Sequence, residues 1–129
     1  TIFGYQPGEV PQLGKREFAA DPDLVNLAET SCQEANPDIH VFTGRVVSGD
    51  QFISDQTVKE KLISLFSGSC TEMEGAAIAH AATLNEIPFV IIRAISDKAD
   101  NSAKMDYPAF EKKAAQDCAK LVARMLQNI

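Results

Sequence analysis

The chain reads as an α/β protein built on a parallel sheet, and three observations predict it. Two short acidic motifs, Thr71-Glu72-Met73-Glu74-Gly75 and Arg93-Ala94-Ile95-Ser96-Asp97, each end or directly follow an apolar run of strand character. Between them Ala76-Ala77-Ile78-Ala79-His80-Ala81-Ala82 is small and apolar, the composition of a helix packed closely on a sheet. Strand, helix and strand make a βαβ unit, whose crossover is right-handed in nearly all cases and brings both acidic ends to one sheet edge.

Taken in order, residues 1–20 carry Gly4, Pro7, Gly8, Pro11 and Gly14, which forbid a regular helix and predict an extended arm or loop. Phe3 and Tyr5 flank Gly4 and would share one face of an extended strand. Asp21-Pro22 starts a helix, because Asp caps free amides and Pro tolerates the first helical position. Leu24, Leu27, Ala28 and Cys32 keep helical spacing until Asn36-Pro37 ends it. Ile39, Val41 and Phe42 lead into a β-branched strand at Val46-Val47, broken by Ser48-Gly49-Asp50. From Thr57 to Phe66 the apolar Val58, Leu62, Ile63, Leu65 and Phe66 oppose charged residues, an amphipathic helix stopped by Ser67-Gly68-Ser69. A strand begins at Cys70. Ile87-Pro88-Phe89-Val90-Ile91-Ile92 is almost wholly apolar and predicts a central parallel strand covered on both faces, with Pro88 at its start. The polar loop 96–102 precedes a last helix from about Asp106, with Phe110, Ala114, Cys118, Leu121, Val122 and Met125 on one stripe.

Composition narrows the function. With 129 residues, 45% of them hydrophobic and 23% charged, the chain suits one core and is too small for two. A net charge of −6 without a basic and aromatic stripe predicts no nucleic-acid partner. Cys32, Cys70 and Cys118 are odd in number and lack a CxxC spacing, so they read as reduced thiols of a cytoplasmic protein rather than a disulfide framework or a zinc site. Neither a membrane span nor a secretory signal is expected from the residues present. The chain opens on Thr1 rather than Met and starts abruptly, as a partial chain does; a processed N-terminus looks the same.

Three connections are expected at one sheet edge: 48–53, 72–75 and 96–100. Ligands of open parallel sheets bind beyond the carboxyl ends of the strands, so these loops form the expected site. Their residues suit a nucleoside. Phe52 offers a face to a flat base, the Ile53 backbone can pair with its edge, an ionised Glu74 can accept from both hydroxyls of a ribose, and Met73 gives a soft apolar contact to the sugar. Asp97 can share a proton with a ring nitrogen.

At these residues a resemblance appears. Val47-Ser48-Gly49-Asp50-Gln51-Phe52-Ile53, Glu72-Met73-Glu74 with Ala77-Ile78-Ala79-His80, and Arg93-Ala94-Ile95-Ser96-Asp97-Lys98-Ala99-Asp100 resemble the bacterial 5'-methylthioadenosine/S-adenosylhomocysteine nucleosidases, collinearly along essentially all of the chain. The resemblance implies an α/β three-layer sandwich of the purine nucleoside phosphorylase/nucleosidase type, of which residues 1–129 are the carboxyl-terminal half, because Phe3-Gly4-Tyr5 and Pro11 resemble a segment from the middle of the family pattern. In this picture 1–20 is an arm and 21–129 the βαβ portion carrying the nucleoside site.

The activity implied is hydrolysis of 5'-methylthioadenosine, S-adenosylhomocysteine and 5'-deoxyadenosine to release adenine, in methionine salvage, without metal or cofactor. Asp97 is then the general acid at the base and Ser96 holds its carboxyl. Phe52 stacks on adenine, Ile53 pairs with it, Glu74 binds the ribose hydroxyls, and Met73 and Tyr107 surround the sugar and alkylthio group. Phe3, Tyr5 and Pro11 match dimer-interface positions and imply a homodimer. The glutamate that activates water in the family lies near the start of its pattern and has no counterpart here, so the isolated chain is expected to be nearly inactive and to need the missing amino-terminal portion.

Plainer roles stand beside these. Glu74 also suits a helix first turn, where the dipole favours a carboxylate. Asp97 can be a loop or cap residue, Phe52 a core residue, and Asp50 a shaper of its turn. His80 reads as structural. Arg93 pairs with a site carboxylate, Glu72 or Glu74, or forms an ion pair with no catalytic role. Phe3 and Tyr5 can be ordinary core. A purine nucleoside phosphorylase shares similar Glu-Met-Glu and Ser-Asp motifs, and a noncatalytic adenosine-binding relative is the alternative of another class.

Overall fold

The computed structural model describes residues 4–95 and 107–129. Its elements are α1 (Pro22–Ala35), β1 (Val46–Ser48), α2 (Gln56–Phe66), β2 (Cys70–Glu72), α3 (Gly75–Leu84) and α4 (Tyr107–Asn128). They fall into two compact units, one of residues 1–20 with 44–91 and the other of residues 21–43 with 92–129.

The first unit holds the sheet. β1 and β2 pair in parallel, with Val46 opposite Cys70, Val47 opposite Thr71 and Ser48 opposite Glu72. Parallel neighbours need a crossover, and α2 provides it. Asp55 starts α2 by accepting from the Val58 amide at 3.0 Å, and Ser67 ends it in the left-handed conformation at φ 52°. Of the expected apolar stripe only Leu62 and Phe66 are partly covered, while Val58, Ile63 and Leu65 are exposed. α3 packs on β1 through buried Gly75 and Ala79. This is the tight helix–sheet contact its small residues predict, but confined to one stripe: Ile78 and Leu84 are exposed.

Residues 4–20 form turns and one antiparallel bridge between Val10 and Lys15. Side chains fasten this segment down. Phe18 stacks on His80 with ring centroids 5.1 Å apart, the Arg16 guanidinium lies 5.7 Å from the Phe66 ring centre, and Glu17 pairs with Arg45 at 2.6 Å. Gly8 has φ +77°, and a Cβ there would lie 2.8 Å from the Phe66 ring, so the close approach needs glycine.

The second unit pairs α1 with α4. Asp21 caps α1 by accepting from the Leu24 amide at 2.9 Å, as its sequence predicts. Leu121 and Met125 of α4 are buried, and Phe110, Ala114 and Cys118 partly so. Val122 stands off this stripe, half exposed at 50%. Polar groups tie the two helices together. Buried Asn36 donates to the Asp117 carbonyl at 3.0 Å, Arg124 donates to Glu34 at 2.6 Å, and Asn128 donates to Glu34 at 3.2 Å and to fully buried Ser31 at 3.3 Å.

One expected element is not formed. Residues 87–92, predicted as a central strand, join no ladder, and Ile87 is 59% exposed. A central parallel strand needs a neighbour on each side, and the only ladder among the described residues is the β1–β2 pair. The expected polar loop 96–102 lies outside the described residues.

Candidate active site

The register of the short ladder builds the acidic edge. Because Ser48 faces Glu72 across two parallel strands, the segments after both strands leave the sheet on the same side. Loop 49–53 and loop 73–74 are therefore neighbours in the first unit, as the sequence predicts. The Gly49 amide donates to the Glu72 carbonyl at 3.1 Å and extends the ladder by one bond.

Beyond that bond the side chains take over. Glu72 is 8% exposed, and its carboxylate folds back on the start of α3, where Oε2 accepts from the Glu74 amide at 3.0 Å and the Gly75 amide at 2.7 Å. The Ser48 hydroxyl donates to Glu72 Oε1 and accepts from the Ala76 amide at 2.7 Å. Helix N-termini leave their first amides without intrahelical partners, and here Glu72 and Ser48 take up those of Gly75 and Ala76 at the start of α3. Glu74, the N-cap residue, makes no cap bond with its own side chain and is exposed. Gly75 makes the arrangement possible: a Cβ there would lie 3.0 Å from Glu72 Oε1 and 3.2 Å from its carboxyl carbon.

The remaining expected residues are placed as follows. Phe52 is 83% exposed, so within the described residues its ring is not core. Ile53 is half-buried and Met73 46% exposed. Tyr5 is half-buried and Pro11 exposed in the arm of the same unit. Arg93, exposed, belongs to the second unit. Tyr107 opens α4. Phe3, Ser96 and Asp97, and the side chain of Tyr107, lie outside what the structure describes. The sequence does not single out the Ser48 hydroxyl or the steric role of Gly75, because the ladder register that sets Ser48 opposite Glu72 is a structural fact. Among the described residues no group of three or more His, Cys, Asp or Glu side chains is placed to hold a metal ion.

A parallel ladder with carboxylates at its carboxyl edge and helices packed beside it is an α/β arrangement, and the likeness to solved nucleosidase structures makes it the nucleoside phosphorylase fold, the class the sequence predicts. The family model of the phosphorylase superfamily matches residues 1–127, and the chain belongs to that superfamily. Along its whole length the chain is 39% identical to the 5'-methylthioadenosine/S-adenosylhomocysteine nucleosidase of Geobacillus sp., covering 55% of that protein. Among solved structures it resembles the nucleosidase of the same name from Neisseria meningitidis in complex with methylthio-immucillin-A, with TM-score 0.83, 38% identity and coverage of 99% of this chain and 55% of that one. It also resembles the futalosine hydrolase of Helicobacter pylori, with TM-score 0.78, 34% identity and coverage of 93% and 50%. The chain thus spans about half the length of the curated relatives it matches.

Proposed function

We propose that the protein hydrolyses the N-glycosidic bond of 5'-methylthioadenosine, S-adenosylhomocysteine and 5'-deoxyadenosine, releasing adenine, and that residues of this chain hold the base and the sugar. The likeness of 99% of the chain to a nucleosidase bound to methylthio-immucillin-A carries this reading. Residues 1–129 then belong to one nucleosidase domain, 1–20 as its arm and 21–129 as the portion carrying the nucleoside site.

The chemistry assigns each residue a task. Cleaving the bond from sugar to base builds positive charge on the sugar and negative charge on the departing base. A protonated Asp97 helps the base leave, and an ionised Glu74 favours the sugar cation while it holds the hydroxyls. Two carboxyls in opposite protonation states are needed. General acid assistance contributes about two to four orders of magnitude in rate, with electrostatic preorganisation added to it. Phe52, exposed and aromatic, stacks on the base, and the Ile53 backbone pairs with its edge. Ser96 holds the Asp97 carboxyl, and Met73 and Tyr107 line the sugar and its 5' substituent. Arg93 supports a site carboxylate.

The setting is methionine salvage in the cytoplasm. Cys32, Cys70 and Cys118 are not in disulfides, which suits a reducing compartment, and no described helix is long and apolar enough to cross a membrane. The protein acts as a homodimer, with Phe3, Tyr5 and Pro11 at the interface.

The test is adenine release from 5'-methylthioadenosine by the full-length protein, with and without phosphate. Release independent of phosphate supports hydrolysis. Release that requires phosphate makes the protein a purine nucleoside phosphorylase, and binding without release makes it a noncatalytic adenosine binder. The likeness to a futalosine hydrolase favours a second reading, in which futalosine is the substrate. Faster turnover of futalosine than of 5'-methylthioadenosine would select it.

A further inference from the structure

We propose that Ser48 and Glu72 form a positioning clamp that sets the Glu74 carboxylate against the sugar, so that Glu72 acts on the reaction through Glu74. The inference rests on the reading that Glu74 binds the sugar hydroxyls. Glu72 fixes both peptide groups that flank Glu74, since its Oε2 accepts from the Glu74 amide at 3.0 Å and the Gly75 amide at 2.7 Å. A residue held at its own amide and at the next one has little freedom at Cα. Its side chain therefore leaves the start of α3 in a set direction.

Ser48 closes the clamp from the neighbouring strand. Its hydroxyl donates to Glu72 Oε1, which orients the carboxylate, and accepts from the Ala76 amide at 2.7 Å. The ladder register that puts Ser48 opposite Glu72 thereby fixes the start of the helix carrying the sugar ligand. Gly75 leaves just enough room, because a Cβ would approach the Glu72 carboxyl to 3.0–3.2 Å and push it off the amides. The clamp explains why an acidic residue two positions before Glu74 is buried while Glu74 itself is exposed.

The test uses the full-length protein and reads adenine release together with amide hydrogen exchange at residues 74–76. Glu72→Ala should lower kcat/KM about 100-fold, the scale of a small misplacement of a binding group. Glu72→Gln, which keeps an acceptor for the two amides, should restore most of the rate, and Ser48→Ala should fall between them. When Glu74 is already Ala, adding Glu72→Ala should cost little more, because the two substitutions then remove one interaction. Exchange at 74–76 should rise in Glu72→Ala and Ser48→Ala while exchange in α4 stays unchanged. A full additional loss on top of Glu74→Ala would overturn the clamp. If Glu72→Ala does not fold, Ser48→Ala carries the same comparison, and additivity with Glu74→Ala overturns the proposal equally. No adenine release by the wild-type protein defeats the functional reading instead; unchanged exchange at 74–76 in Glu72→Ala would then overturn the clamp on its own.

Discussion

At the scale of single residues, the proposed reading gives the two acidic motifs different work. With Asp97 proposed as general acid, its loss should be felt in rate alone: Asp97→Asn is expected to slow adenine release by about two to four orders of magnitude with an unchanged circular dichroism spectrum. Wild-type turnover in that variant would remove Asp97 from the role. Phe52 makes a complementary case because its ring is exposed. Phe52→Ala should leave the melting temperature in place and raise KM about 2- to 10-fold, the worth of one aromatic stacking contact; a large drop in melting temperature would mean that the ring packs as core. The chemistry of Glu74, Asp97 and Phe52 could be argued from residue type and position after strands. The job of Glu72 could not. Its burial depends on Ser48 across the ladder and on the missing Cβ of Gly75, and neither is local in sequence.

At the scale of elements, what was legible was what is local. The Asp21 cap is legible because Asp competes for free amides, and it accepts from the Leu24 amide; Asp55 caps α2 in the same way, although the amphipathic pattern starts that helix only at Thr57 and marks no cap. Asp21→Ala is expected to destabilise the protein by about 1 kcal/mol, measured as a lowered denaturation midpoint. Burial within the helices was less legible, since a periodic stripe says which face is apolar but not how much partner surface covers it. Val122 and Ile78 are apolar and half or more exposed for that reason.

The pairing of α1 with α4 adds a pH dependence that no periodicity shows. Hydrogen bonds from Arg124 and Asn128 hold the Glu34 carboxyl below its ordinary value. A carboxyl whose folded value is depressed contributes stability that is complete above its ordinary range and disappears as pH falls through the lowered value. Protection factors at the end of α1, taken against the intrinsic exchange rate at each pH, should therefore fall as pH drops below the ordinary glutamate range, and Glu34→Gln should abolish that step. An identical acid response in Glu34→Gln would place its origin elsewhere.

At the scale of the whole molecule, the α/β class is readable because strand and helix signals alternate, yet among the described residues the sheet is smaller than the sequence suggests. Two strands form the ladder there, and an isolated pair of strands is marginal by itself. The run 87–92 has the composition of a strand enclosed by neighbours, and composition cannot say where those neighbours come from. The same gap appears in the chemistry. In the proposed function Glu74 and Asp97 stabilise the separated charges, but the resemblance assigns water activation to a glutamate with no counterpart in these residues, and the chain spans about half the length of the curated relatives it matches. Residues 1–129 alone should accordingly release adenine from 5'-methylthioadenosine at least about 100-fold more slowly than the full-length protein, the contribution of one missing general base. Equal rates for the two would mean that a base within residues 1–129 prepares the water, and would move the search for it to the carboxylates of this chain.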